Sequence, residues 1–153
     1  MSHARRTEKV VVTFGTFDVF HVGHLRILER AAELGDRLVV GVSSDALNRR
    51  KKGRAPVYSQ QERLAIVGAL RCVDATFVEE SLEAKAEYLT RYGADVLVMG
   101  DDWEGRFDDL ERLCEVVYLP RTPSISTTET IERIRRPVFA PTPEASAEDD
   151  VPA

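Results

Sequence analysis

Cysteine, histidine and tryptophan are scarce in this chain of 153 residues, at two, three and one copies, and no apolar run approaches membrane-spanning length. Cys72 and Cys114 lie far apart with no secretory leader ahead of them, which argues against a disulfide framework and for two reduced thiols in a cytoplasmic protein. The N-terminal MSHARRTEK leads straight into a short apolar segment, so it reads as neither signal nor anchor. A strong charge imbalance is missing too. The net charge of −5 owes most of its size to Glu144, Glu148, Asp149 and Asp150 near the C-terminus, leaving the rest almost neutral. That balance argues against a general nucleic-acid binder, while clustered positive charge remains suited to a small anionic ligand.

What is present is ordinary for one globular domain: 43% hydrophobic and 31% charged residues. Apolar, β-branched runs at residues 9–14, 37–42, 73–79, 95–100 and 115–120 read as strands. Between them Leu25, Leu28 and Ala32 recur at helical spacing up to Gly35, Ser59 and Glu62 form a capping-box pair before a helix over 60–70, and residues 85–91 run helically to Gly93. Ser126 and Glu129 offer a second capping box, opening a last helix over 127–135. The alternation predicts an α/β fold: one doubly wound, Rossmann-like domain over 9–136 with a mainly parallel five-stranded sheet and its ligands at the carboxyl ends of the strands. Residues 137–153, PVFAPTPEASAEDDVPA, read as an acidic, proline-rich disordered tail. No internal repeat is evident.

Chemistry concentrates in GTFDVFHVGH, residues 15–24. Gly15 ends the first strand and lets the chain turn sharply, and a helix N-terminus beyond it offers free N–H donors and positive dipole to an anion. His21 and His24 project from the same side of a first helical turn, where both rings can donate to phosphate oxygens. On these residues alone three readings stay open: helix capping, a metal site and phosphate contact. A metal site needs further ligands, for which His3 and the distant cysteines make a poor set. RTPSISTT, residues 121–128, has the same flavour, with a planar cation at Arg121 and hydroxyls and N–H donors at Ser126, Thr127 and Thr128; its plain alternative is a capped helix after a loop.

GTFDVFHVGH resembles the HxGH signature of the nucleotidyltransferase superfamily, and RTPSISTT resembles the RTxGISTT signature of its cytidylyltransferase branch. With VMGDDWEGRFD at 98–108, the likeness is greatest to the bacterial glycerol-3-phosphate cytidylyltransferase family and extends over residues 9–135. The resemblance implies transfer of CMP from CTP to sn-glycerol 3-phosphate, giving CDP-glycerol and pyrophosphate, in a cytoplasmic homodimer with Mg²⁺ bound alongside CTP. By the same resemblance, His21, His24, Lys51 and Arg121 are catalytic, and Gly15, Thr16, Phe17 and Gly23 join the histidines in holding the nucleotide. Arg71 reaches its phosphates, Asp102 its ribose or base, and Thr122, Ile125, Ser126, Thr127 and Thr128 line the segment after Arg121. Lys51, Arg54 and Lys85 match the acceptor-phosphate site, with Arg54 preferred to Lys52, and Asp18 orients the loop or a histidine.

The family has Glu-Gly where this chain has Pro123 and Ser124, which removes a glycine and stiffens that loop. The basic run NRRKKGRAP, residues 48–56, otherwise reads as a solvated loop. Alternatives are a cytidylyltransferase or adenylyltransferase for another phosphate monoester, and a nucleotide-binding regulatory module without turnover.

Overall fold

The structure is a computed structural model and describes residues 8–123 and 125–137. All but the first residue of the expected tail therefore lies outside the described residues, as does His3. Five strands, β1 (Val10–Gly15), β2 (Arg37–Ser43), β3 (Ala75–Glu79), β4 (Val96–Gly100) and β5 (Glu115–Leu119), form one sheet in the order β3-β2-β1-β4-β5. All four pairings are parallel. Five helices accompany them: α1 (Val22–Ala32), α2 (Asp45–Lys52), α3 (Gln60–Gly68), α4 (Lys85–Arg91) and α5 (Thr127–Arg135), with short 3-10 helices at Asp101–Trp103 and Asp108–Arg112.

Central strands are covered on both faces, so they read as continuous apolar runs whose side chains alternate between two cores. From β1, Val11 packs with Leu28 and Ala31 of α1 and Val67 of α3. Its neighbours Val12 and Phe14 pack on the other side with Phe77, Tyr88 and Leu89. Full burial of each such side chain stabilises the fold by about 1.5–3 kcal/mol. Acids in the turns complete the strand starts: Asp95 accepts from the Val10 N–H and Asp74 from the Leu38 N–H, both at 2.8 Å.

α2 departs from the sequence expectation, because the first half of the basic run is helical. Ser44 caps it through its Oγ, Gly53 ends it at φ 72°, and Arg49 to Lys52 fill the last turn, where cations complement the helix dipole. The strand order reverses between β1 and β4, and in open parallel sheets that crevice is where ligands bind.

Candidate active site

A cavity of about 560 Å³ opens at the carboxyl ends of β1 and β4. The turn after β1, the segment after α2, the Gly100–Trp103 turn and the segment from Arg121 into α5 surround it. The turn after β1, the histidines His21 and His24, and Arg121, Thr122 and residues 125–128 thus meet at one site, although more than ninety residues separate the two stretches in the chain.

The histidines are wired into the helix they precede. His21 is the N-cap of α1, and its Nδ1 accepts from the Gly23 N–H at 3.0 Å. The bond is returned three residues on, where His24 Nδ1 accepts from the His21 N–H at 3.2 Å. The result is a capping box built from two imidazoles. Their rings stack with centroids 3.8 Å apart, and Phe17 and Phe20 flank His24. An Nδ1 that accepts a hydrogen bond carries no proton, so in each neutral ring the proton sits on Nε2. Burial, reinforced by the neighbouring His21, lowers the His24 pKa to about 3 against a smaller opposing pull from Asp18, and burial lowers that of His21 as well. Both rings are therefore neutral near pH 7, and both line the cavity with an Nε2–H left to donate. Capping and anion contact, rival readings on the sequence, use different nitrogens of the same rings. Gly23 has to stay small, since a Cβ there would lie 2.8 Å from the His21 ring.

Phe17 (φ 54°) and Val19 (φ 47°) sit in the left-handed region, which is costly for non-glycine residues and most so for β-branched valine. Asp18, between them, holds this strained turn. Its carboxylate accepts from the N–H groups of Val57 at 2.8 Å and Tyr58 at 2.9 Å, and its carbonyl accepts from Thr127 Oγ1 at 3.0 Å. It thus ties the loop to the segment before α3 and to the first residue of α5, and makes no hydrogen bond to His21 or His24.

Two organising residues escaped the sequence reading. Arg63 of α3 is wholly buried and donates to the carbonyls of Thr16, Ser43 and Tyr58 and to the Asp45 carboxylate. Asn48 of α2 is buried as well; its Oδ1 accepts from Thr16 Oγ1 at 3.0 Å and its Nδ2 donates to Ser44 O at 2.9 Å. Both fix the backbone around Thr16. Neither stands out by spacing, because each is held by a mixture of nearby carbonyls and groups from distant segments such as Thr16.

Across the cavity, Arg121 at the exit of β5 pairs with Asp102 at the exit of β4 at 2.8 Å, with 66% and 41% of the two side chains exposed. Thr122, Ile125 and Thr128 line the same wall. Ser126 caps α5 by accepting from the Glu129 N–H, but the return bond from Glu129 does not form, so the expected capping box is half made. Trp103, from the turn after β4, also lines the cavity, with the Phe107 ring tilted against it at a centroid distance of 5.5 Å.

The acceptor-site residues divide. Arg54 and Lys52 line the cavity together, while Lys51, half-buried, does not. Successive residues of α2 point about 100° apart, so Lys51 and Lys52 look toward different surroundings. Lys85, the first residue of α4, is 3% exposed and paired with Glu79 outside the cavity lining. Arg71 is exposed beyond α3, also outside that lining. Among the described residues no group of three His, Cys, Asp or Glu side chains is placed to hold a metal ion.

A doubly wound sheet whose switch point carries two helix N-termini and a neutral histidine pair is the architecture of an α/β nucleotide-binding protein, with N–H donors suited to an anion. The chain belongs to the cytidylyltransferase-like family, whose model matches residues 12–133. It is 49% identical over 126 residues to the glycerol-3-phosphate cytidylyltransferase of Bacillus subtilis (strain 168), covering 82% of this chain and 97% of that protein. Identity to the Staphylococcus aureus (strain NCTC 8325 / PS 47) protein of the same description is 42% over 121 residues, covering 79% and 91%. Among solved structures, the lipopolysaccharide core biosynthesis protein of Thermoplasma volcanium GSS1 superposes with a TM-score of 0.66 at 25% identity, over 76% of this chain and 99% of that one.

Proposed function

We propose that the protein transfers the cytidylyl group of CTP to sn-glycerol 3-phosphate, releasing pyrophosphate and forming CDP-glycerol. The observation that carries this reading is the pair of neutral imidazoles at the N-terminus of α1, facing the N-terminus of α5 across one cavity. The acceptor follows from near full-length likeness to the two relatives above.

The acceptor is a phosphate monoester with a second pKa near 6, so it is mostly dianionic at neutral pH and needs no base to activate it. One of its oxygens attacks the α-phosphorus of CTP in line, a new P–O bond forms, and the bond to the β-phosphate breaks with the electron pair leaving on pyrophosphate. The contribution of the protein is orientation and charge stabilisation. The Nε2–H groups of His21 and His24 donate to the α-phosphate oxygens as charge builds there. Arg121, exchanging its Asp102 partner for ligand, grips the β- and γ-phosphates with the hydroxyls and N–H groups of Ser126, Thr127 and Thr128. Asp102 is then free to accept from the nucleoside. Lys52 and Arg54 supply positive charge at the cavity wall, with Lys51 and Lys85 behind it.

Mg²⁺ bound to the triphosphate would screen its charge; Asp102 lines the cavity, and no group of three His, Cys, Asp or Glu side chains among the described residues is placed to hold a metal, which suits an ion held mainly by phosphate oxygens and water. The working form we propose is a cytoplasmic homodimer.

Pyrophosphate release measured over CTP and ATP against glycerol 3-phosphate, choline phosphate and ethanolamine phosphate tests the assignment. CTP with glycerol 3-phosphate should exceed every other pair. A different best pair would reassign the substrate, and CTP binding without release for any acceptor would mark a nucleotide-binding module.

A further inference from the structure

The buried Glu79–Lys85 pair has no part in the nucleotide cavity, and its placement asks for a reason. A buried ion pair is weak evidence of stabilisation, since apolar side chains of similar size often serve as well. Glu79, at the carboxyl end of β3, is 1% exposed and is the one buried acidic side chain among the described residues. Lys85 donates to its Oε2, and the Lys85 Nζ stands 4.1 Å from the ring centroid of Phe14, a residue that lines the cavity. Ser43 Oγ lies 3.4 Å from Glu79 Oε1 and 3.3 Å from the carbonyl of Gly15, joining the carboxylate to the start of the nucleotide loop.

We propose that Glu79 is a positioning residue for the phosphate acceptor: it anchors the Lys85 ammonium directly behind the cavity wall and supplies the buried negative charge that faces both Lys51 and Lys85. This rests on the cytidylyl-transfer reading. Burial lowers the pKa of both lysines, and Glu79 acts against that fall at each of them. The other charged groups acting here are Lys52 of α2 and Arg63 of α3, which oppose the charge on Lys51, and Glu83 ahead of α4, which supports that on Lys85. The titratable Tyr88 of α4 packs beside Phe14. Without Glu79 the two ammonium groups lose their buried counter-charge, and the acceptor dianion meets a weaker field.

The test is steady-state kinetics of Glu79→Gln, Glu79→Asp, Lys85→Met and the Glu79→Gln/Lys85→Met double variant, with CTP and glycerol 3-phosphate varied separately. Glu79→Gln should raise the KM for glycerol 3-phosphate about tenfold or more, the scale of one charged hydrogen bond, and leave the KM for CTP nearly unchanged. The alkaline limb of kcat/KM for the acceptor should move to lower pH, and Glu79→Asp should restore most of the loss. The double variant, which replaces the ion pair with uncharged groups and so keeps a fold for measurement, should be worse than Lys85→Met alone by clearly less than the Glu79→Gln factor, the remainder being the charge that Glu79 supplies to Lys51. An unchanged acceptor KM in Glu79→Gln, an equal rise for both substrates without a pH shift, or a double variant worse than Lys85→Met by the full Glu79→Gln factor would overturn the proposal while the cytidylyl-transfer reading stands. A wild-type protein that transfers cytidylyl to no phosphate monoester overturns both.

Discussion

The two helices whose N-termini face the cavity are built in opposite ways. α1 follows the central strand, buries Leu28 and Ala31, and is capped reciprocally by two rings that also line the cavity. α5 buries no side chain, carries Ile134 at 72% exposure, and is capped by one serine. Its ties to the site are Thr127 to the Asp18 carbonyl and, through the preceding segment, the exposed Arg121–Asp102 pair. The difference teaches a division of labour. At α1 the groups assigned to the reacting phosphate are held by the same bonds that start the helix, so chemistry and folding share atoms. At α5 the groups assigned to the leaving phosphates hang on few bonds, the signature of a segment with low local stability, and can be lost with little cost to the fold.

Substitutions on each side should separate along that line. His24→Ala removes a donor and half of the cap together. Its kcat for pyrophosphate release should fall by at least about a hundredfold, and chemical denaturation should show a stability loss of about 1 kcal/mol from the missing cap. Arg121→Ala should act on binding alone. Its KM for CTP should rise about tenfold, as expected for one charged contact, while its thermal midpoint stays where it is, because an exposed ion pair adds little to stability. A large drop in that midpoint would erase the contrast.

A separate effect falls on the pH dependence of stability. With its pKa near 3 in the fold and near 6.5 unfolded, His24 favours the folded state fully above about pH 6.5. That contribution is lost as pH falls from 6.5 toward 3, where the unfolded chain takes up the proton first. His24→Asn, whose amide oxygen can still accept from the His21 N–H, should lack this component. Urea titrations of both proteins should therefore run roughly parallel above about pH 6.5, and the wild type alone should lose stability from this group below it.

Much of this was legible in the sequence because periodicity and spacing carry it. The five apolar runs and the SQQE capping box stand where they were expected, and residues of GTFDVFHVGH and RTPSISTT line one cavity. The helix at Asp45–Lys52 was not, since its residues are mostly polar and only its end signals, Ser44 and Gly53, mark it. Arg63 reads as an ordinary polar position on a helix; its burial depends on three carbonyls and Asp45 converging from separate elements, which no local pattern records. The same holds for Lys85, whose partner Glu79 ends an otherwise apolar strand. The half-formed box at Ser126 shows the converse, a spacing that fits without both bonds being made.

The central claim is that the bonds which start α1 also set both imidazoles as neutral Nε2–H donors. Long-range ¹H–¹⁵N correlation spectra of the imidazole side chains at pH 7 test it most directly. Both His21 and His24 should show an unprotonated Nδ1 and a protonated Nε2, with the Nε2 signals moving when CTP is added. A proton on Nδ1 of either ring, or a doubly protonated ring at that pH, would contradict it.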